Sequence, residues 1–78
     1  MYDFNNVMNK LFAIQKMLNK KGIDTSFFSN TEGGVGIDLD GYGGVIFIPT
    51  EALYPIGYNV YTYIKNEKIK NLIKDILD

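Results

Sequence analysis

The sequence predicts an α+β domain with two layers. Its elements run α-β-β-β(-β)-α, and a small, mainly antiparallel sheet carries both helices on one face. Two observations carry this. Apolar residues recur at helical spacing at both ends of the chain, and short β-branched and aromatic runs separated by turn residues fill the middle. With 78 residues and no visible linker or repeat, residues 1–78 form a single domain. A core this small is thin, so some apolar surface is expected to be covered by a partner or a second copy.

The first helix is expected to start at Asp3 as its N-cap. Phe4, Val7, Met8, Leu11, Ile14 and Leu18 then form one apolar stripe, while Asn6, Asn9, Lys10, Ala13, Lys16 and Lys20 fall off it. Gln15 sits inside the stripe and reads as an amide at its edge. Lys20-Lys21-Gly22 ends the helix, with cations at the negative pole and glycine at the left-handed position.

Residues 23–30, IDTSFFSN, read as a strand with Ile23, Thr25 and Phe27 on one face and Asp24, Ser26 and Phe28 on the other. Asn30 to Gly34 is a turn. Val35–Leu39 and Val45–Ile48 read as two further strands, and Pro49 ends the second ladder. Thr50 is expected to cap a single helical turn over Glu51–Leu53, which Pro55 stops. Tyr58 to Lys65, YNVYTYIK, is the strongest strand by composition. Asn66 caps a second helix whose stripe is Ile69, Leu72, Ile73, Ile76 and Leu77.

Residues 32–49 hold six of the eight glycines, so any loop chemistry should be sought there. A dinucleotide fingerprint fails because the third glycine position holds Leu39 or Ile46, and a strand follows where a helix is needed. No Gly-Lys-Ser/Thr occurs, so a P-loop is excluded. Asp38-Leu39-Asp40-Gly41 resembles the start of a calcium loop, but the later ligand positions hold Tyr42 and Pro49. A hairpin explains the stretch better, with either a two-residue Asp40-Gly41 turn or a four-residue loop over Asp40 to Gly43. Both registers place Val35, Ile37, Leu39, Ile46 and Ile48 on one face. Both place Gly36, Asp38, Val45 and Phe47 on the other. Gly36, Gly43 and Gly44 exceed what a turn needs, and imply a bulge, a strong local twist or close approach of another group.

Composition narrows the chemistry. The chain has no Cys, no His and no Arg. Thiolate chemistry, imidazole acid–base catalysis and guanidinium clamps are therefore unavailable, and no enzymatic activity, metal or cofactor is expected. The net charge of −1 gives no overall nucleic-acid footprint. The N-terminus lacks a signal-peptide pattern and no apolar run spans a membrane, so a cytoplasmic protein without membrane contact is expected. Lys used without Arg, beside many Ile, Asn and Tyr, suits AT-rich coding, as in a low-GC bacterium or its phage, and with the small size it fits a phage or mobile-element accessory protein.

Two helices cover only one face of a small sheet, so the other is open. Phe28, Val45, Phe47, Tyr61 and Tyr63, with Asp38, are the expected open-face residues. The opposite phase would expose Tyr58, Val60, Thr62 and Ile64, but β-branched residues suit a helix-covered face. Phe28, Asp38, Phe47, Tyr61 and Tyr63 are thus the expected partner-binding set, because tyrosine and phenylalanine bring rigid contact area. The expected function is a small non-enzymatic protein-binding module acting sterically on a larger protein, for example an inhibitor of a host defence protein. The alternatives are nucleic-acid binding through Lys65, Lys68, Lys70 and Lys74, and a structural homodimer through the open sheet face or a strand edge. The α-β-β-β-α order resembles, in topology alone, the double-stranded-RNA-binding domain. None of that family's motifs is present, so no site residue carries over from it.

Overall fold

The computed structural model describes residues 4–31, 33–49 and 57–78. Helix α1 spans Phe4–Lys20 and helix α2 spans Glu67–Leu77; between them run β1 (Thr25–Ser29), β2 (Val35–Leu39), β3 (Gly43–Pro49) and β4 (Tyr58–Thr62). The strands form one antiparallel sheet in the order β1-β2-β3-β4, a meander in which each strand pairs with the next. Both helices pack on the same side of it, as the α+β reading requires. The expected cap at Asp3 and the expected turn over residues 50–55 lie outside the described residues.

In α1 the face that meets the sheet is Val7, Leu11, Ile14 and Leu18, all fully buried. Phe4 was expected in this stripe but is 51% exposed, and Met8 is half-buried. Four core residues at three- and four-residue spacing already fill the contact stripe, so Phe4 and Met8 fall to its edge. The helix ends in a Schellman motif. Ile23 N–H donates to Leu18 O at 3.0 Å and Gly22 N–H to Asn19 O at 3.1 Å, with Gly22 at φ +80°. Ile23 then folds back onto the core.

Helix α2 begins at Asn66, whose side-chain oxygen accepts a hydrogen bond from Ile69 N–H at 3.2 Å. Such a cap contributes about 1 kcal/mol. Ile69 and Ile73 are buried, and Ile76 and Leu77 pack against the core margin. Lys10 Nζ donates to Leu77 O at 2.8 Å, so a cation from α1 satisfies a carbonyl at the negative end of α2.

The β2–β3 hairpin differs from both expected registers. Leu39 pairs with Gly43, leaving a three-residue loop, Asp40 to Tyr42. Tyr42 N–H donates to Leu39 O at 3.0 Å, closing a turn with Gly41 at φ +82°. Gly43 follows at φ +97°. That second left-handed glycine lets the chain enter β3 one residue out of step with either two- or four-residue closure. Because side chains alternate, the whole of β3 is inverted relative to the expectation. Val45 and Phe47 face the helices and are fully buried, while Ile46 and Ile48 lie on the opposite face, half-buried. The core therefore consists of Val7, Leu11, Ile14, Leu18, Ile37, Leu39, Val45, Phe47, Ile64, Ile69 and Ile73.

Candidate functional site

The sheet face away from the helices can be read from its registers. Phe28 pairs with Gly36, Gly36 with Ile46 and Ile46 with Tyr61, giving one lateral row across all four strands. Beside it Ser26 pairs with Asp38 and Asp38 with Gly44, and Tyr63 N–H donates to Gly44 O at 2.9 Å to complete a second row. Ile48 and Asn59 pair on the other side. Among the described residues no helix covers these rows. Tyr61 is 52% and Tyr63 48% exposed, and Asp38 is the one charged side chain among the described residues of the face.

Two glycines on this face are filled from within. A Cβ on Gly36 would lie 2.5 Å from Phe28 Cζ and 2.5 Å from Val45 O. A Cβ on Gly44 would lie 2.8 Å from Tyr63 Oη and would also strike Ile37 O. The aromatic rings of Phe28 and Tyr63 thus occupy the volumes that side chains on the central strands would take. Close approach is achieved by the chain's own rings. The Tyr63 phenol pays for this position: burial of the hydroxyl, and secondly the nearby Asp38 carboxylate, push its pKa above the ordinary tyrosine value.

Four of the five expected partner-binding residues share the face: Phe28, Asp38, Tyr61 and Tyr63. Phe47 does not. It is wholly buried beneath the helices, with its ring centroid 5.4 Å from that of Tyr58. The three-residue loop is the reason, since it turns Phe47 inward and Ile46 and Ile48 outward. Those two isoleucines are the residues the sequence reading missed on this face. Their alternation with Val45 and Phe47 was visible in the sequence, but the choice of phase depended on loop length.

The four lysines of the nucleic-acid alternative are all exposed but do not converge. Lys70 and Lys74 line a groove with Val60, Thr62, Leu77 and Asp78 on one flank of α2. Lys68 lines a different groove with Lys21, Asn71, Leu72 and Asp75. Lys65 follows β4, its N–H donating to Tyr42 O at 3.4 Å. Acidic side chains lie in both grooves, which breaks any continuous positive surface.

Among the described residues no group of three or more His, Cys, Asp or Glu side chains could hold a metal ion. Among them, too, no helix is long and apolar enough to cross a membrane. Comparison with protein-family models, curated proteins and solved structures gives no match.

A second apolar surface lies at the β1 edge. Phe12 is 51% and Phe27 40% exposed, and their rings meet edge-to-face at 5.4 Å and 84°. Phe4, Met8 and Phe27 line an adjoining groove of about 270 Å³. The signal was present in the sequence as Phe4, Met8 and Phe12, spaced four apart and offset from the core stripe.

Proposed function

We propose that this domain is a small non-catalytic protein-binding module that works by occupying a surface of a larger protein with the open face of its sheet. The observation that carries the reading is the continuous apolar row Phe28–Gly36–Ile46–Tyr61, flanked by a second row that holds Tyr63 and the single charge of Asp38. Exposed apolar surface of this kind marks contact sites. Tyrosine is favoured there because its large ring has few rotors to freeze and its hydroxyl tolerates both water and a polar partner. The rings seated on Gly36 and Gly44 supply pre-organisation, since a surface already packed loses less side-chain freedom on binding. The mode of action is steric.

The test compares tagged wild type with the Tyr61→Ala/Tyr63→Ala double variant in capture from host lysate, with and without nuclease. Circular dichroism establishes that both are folded. The expected result is a stoichiometric protein held by wild type through nuclease treatment, kept by Lys70→Ala/Lys74→Ala and lost by the tyrosine variant. Capture that survives the tyrosine substitutions, or that disappears with nuclease and with the lysines, overturns the reading in favour of another surface or of nucleic acid.

A further inference from the structure

Among the described residues β1 pairs only with β2, so its far side is an open sheet edge. Asn30 N–H donates to Gly34 O and Asp40 N–H to Asp24 O, each at 3.0 Å. Even-numbered backbone groups therefore point toward β2. By antiparallel alternation the N–H and C=O groups of Thr25, Phe27 and Ser29 point to the open edge. The strand reads TSFFS, with neither charge nor proline to blunt that edge. On the helical side of the edge stand the exposed rings of Phe12 and Phe27, already stacked on each other.

We infer that this edge is an isologous dimer interface: β1 pairs antiparallel with β1 of a second copy, with the two-fold axis at Phe27. The outward residues are symmetric about Phe27, so this register satisfies all of them at once. Phe27 exchanges its backbone bonds with its own counterpart, and Thr25 exchanges with Ser29 of the second copy. The axis brings each Phe12–Phe27 pair against its equivalent, forming a four-ring cluster. With Phe4, also 51% exposed, these rings offer roughly 280 Å² of aromatic surface per copy, about a third of the ~800 Å² per partner of a specific interface. The strand edges and flanking side chains have to supply the remainder.

Charge does not oppose a second copy at this edge, and β1 itself carries none. A chain of net charge −1 meets little repulsion from itself. At the other edge, β4, the groove beside Val60 carries Lys70 and Lys74 with only Asp78 to offset them, and a two-fold there would gather four lysines against two aspartates. The inference is independent of the proposed sheet-face function but extends it. Pairing at β1 joins two sheets into one of eight strands and sets Phe28 opposite Ser26 of the second copy, so the open faces become continuous.

Sedimentation equilibrium on the full chain tests this. The expected mass is twice the 8.8 kDa of one chain. Phe27→Lys and Phe12→Lys should each halve it with an unchanged far-ultraviolet dichroism spectrum, and Val60→Lys should leave it doubled. If Phe27→Lys does not fold, Phe12→Lys carries the test, because its side chain sits exposed on a helix. A wild-type mass of one chain at millimolar concentration overturns the inference. So does a dimer that survives both phenylalanine substitutions, a dimer lost only with Val60→Lys, or an assembly larger than two.

Discussion

Phe47 and Ile46 are neighbours in sequence and opposites in the fold, and substituting each with alanine tests the hairpin register. Phe47 is among the largest fully buried side chains, enclosed by the helices and Tyr58. Truncating such a phenylalanine costs about 3–5 kcal/mol, the lost transfer energy plus the cavity left behind. A 78-residue domain has a total stability of only about 4–12 kcal/mol. Phe47→Ala should therefore remove a large fraction of it, or all. Ile46 is half-buried on the open face, where truncation costs about 1–2 kcal/mol. The assay is urea denaturation followed by far-ultraviolet dichroism, with the slope required to stay constant so that midpoints report stability. Phe47→Leu is the milder version if Phe47→Ala does not fold, with an expected loss of about 1–2 kcal/mol. Either closure that inverts β3 would reverse the order: Ile46→Ala would be severe and Phe47→Ala slight. That reversal would refute the three-residue loop, the composition of the core and the assignment of the open face together.

Gly43 and Gly41 both have positive φ, but only Gly43 is enclosed: a Cβ there would collide with Tyr63 O, whereas at Gly41 nothing lies within 4 Å. Gly41→Ala should cost about 1 kcal/mol from backbone strain alone, and Gly43→Ala at least about 2 kcal/mol, read as thermal-melt differences; equal losses would contradict the bulged entry into β3. Tyr63 should ionise above the ordinary tyrosine value near ~10, seen as late tyrosinate absorbance missing from Tyr63→Phe. The folded state favours the neutral phenol, so its stability is complete below the unfolded pKa and declines as pH rises through that value toward the folded one. Asp38→Asn should lower the Tyr63 pKa only in part, because burial is the larger cause; an unchanged titration would remove Asp38 from the account.

Element order was legible in the sequence because each element states its own period. The stripe Val7, Leu11, Ile14, Leu18 and the cap at Asn66 are local signals, and the fold keeps them. The phase of β4 was legible too, since Tyr61 and Tyr63 alternate with β-branched residues suited to the covered face. The phase of β3 was not. Val45-Ile46-Phe47-Ile48 is apolar throughout, so alternation in it carries no polar marker. Its orientation depends on whether the loop has two, three or four residues, and the glycines at 41 and 43 permit each. Phe12 was hidden for a different reason. A helix with a complete core stripe gives no cause to seek a second one, and an exposed ring gains meaning only when the fold sets Phe27 beside it.

The glycines of residues 33–44 answer to two separate needs. Gly33, Gly41 and Gly43 have positive φ and shape the turns. Gly36 and Gly44 do not, and a small side chain at either would be acceptable to the backbone of an ordinary strand. What forbids one is the Phe28 ring together with Val45 O at Gly36, and Ile37 O together with the Tyr63 ring at Gly44. Each pair links a central strand to a flanking one, β2 to β1 and β3 to β4. Aromatic rings seated on glycines in this way hold cross-strand register without a second layer of structure. An open face ordinarily uses polar side chains for solubility; this one uses its own aromatics as cover, and Tyr61 stands beside Ile46 in the row they share. Phe28→Ala or Tyr63→Ala therefore removes both a contact residue and the packing that orders its neighbours. Tyr61, which rests on no glycine, is the position where binding can be separated from register.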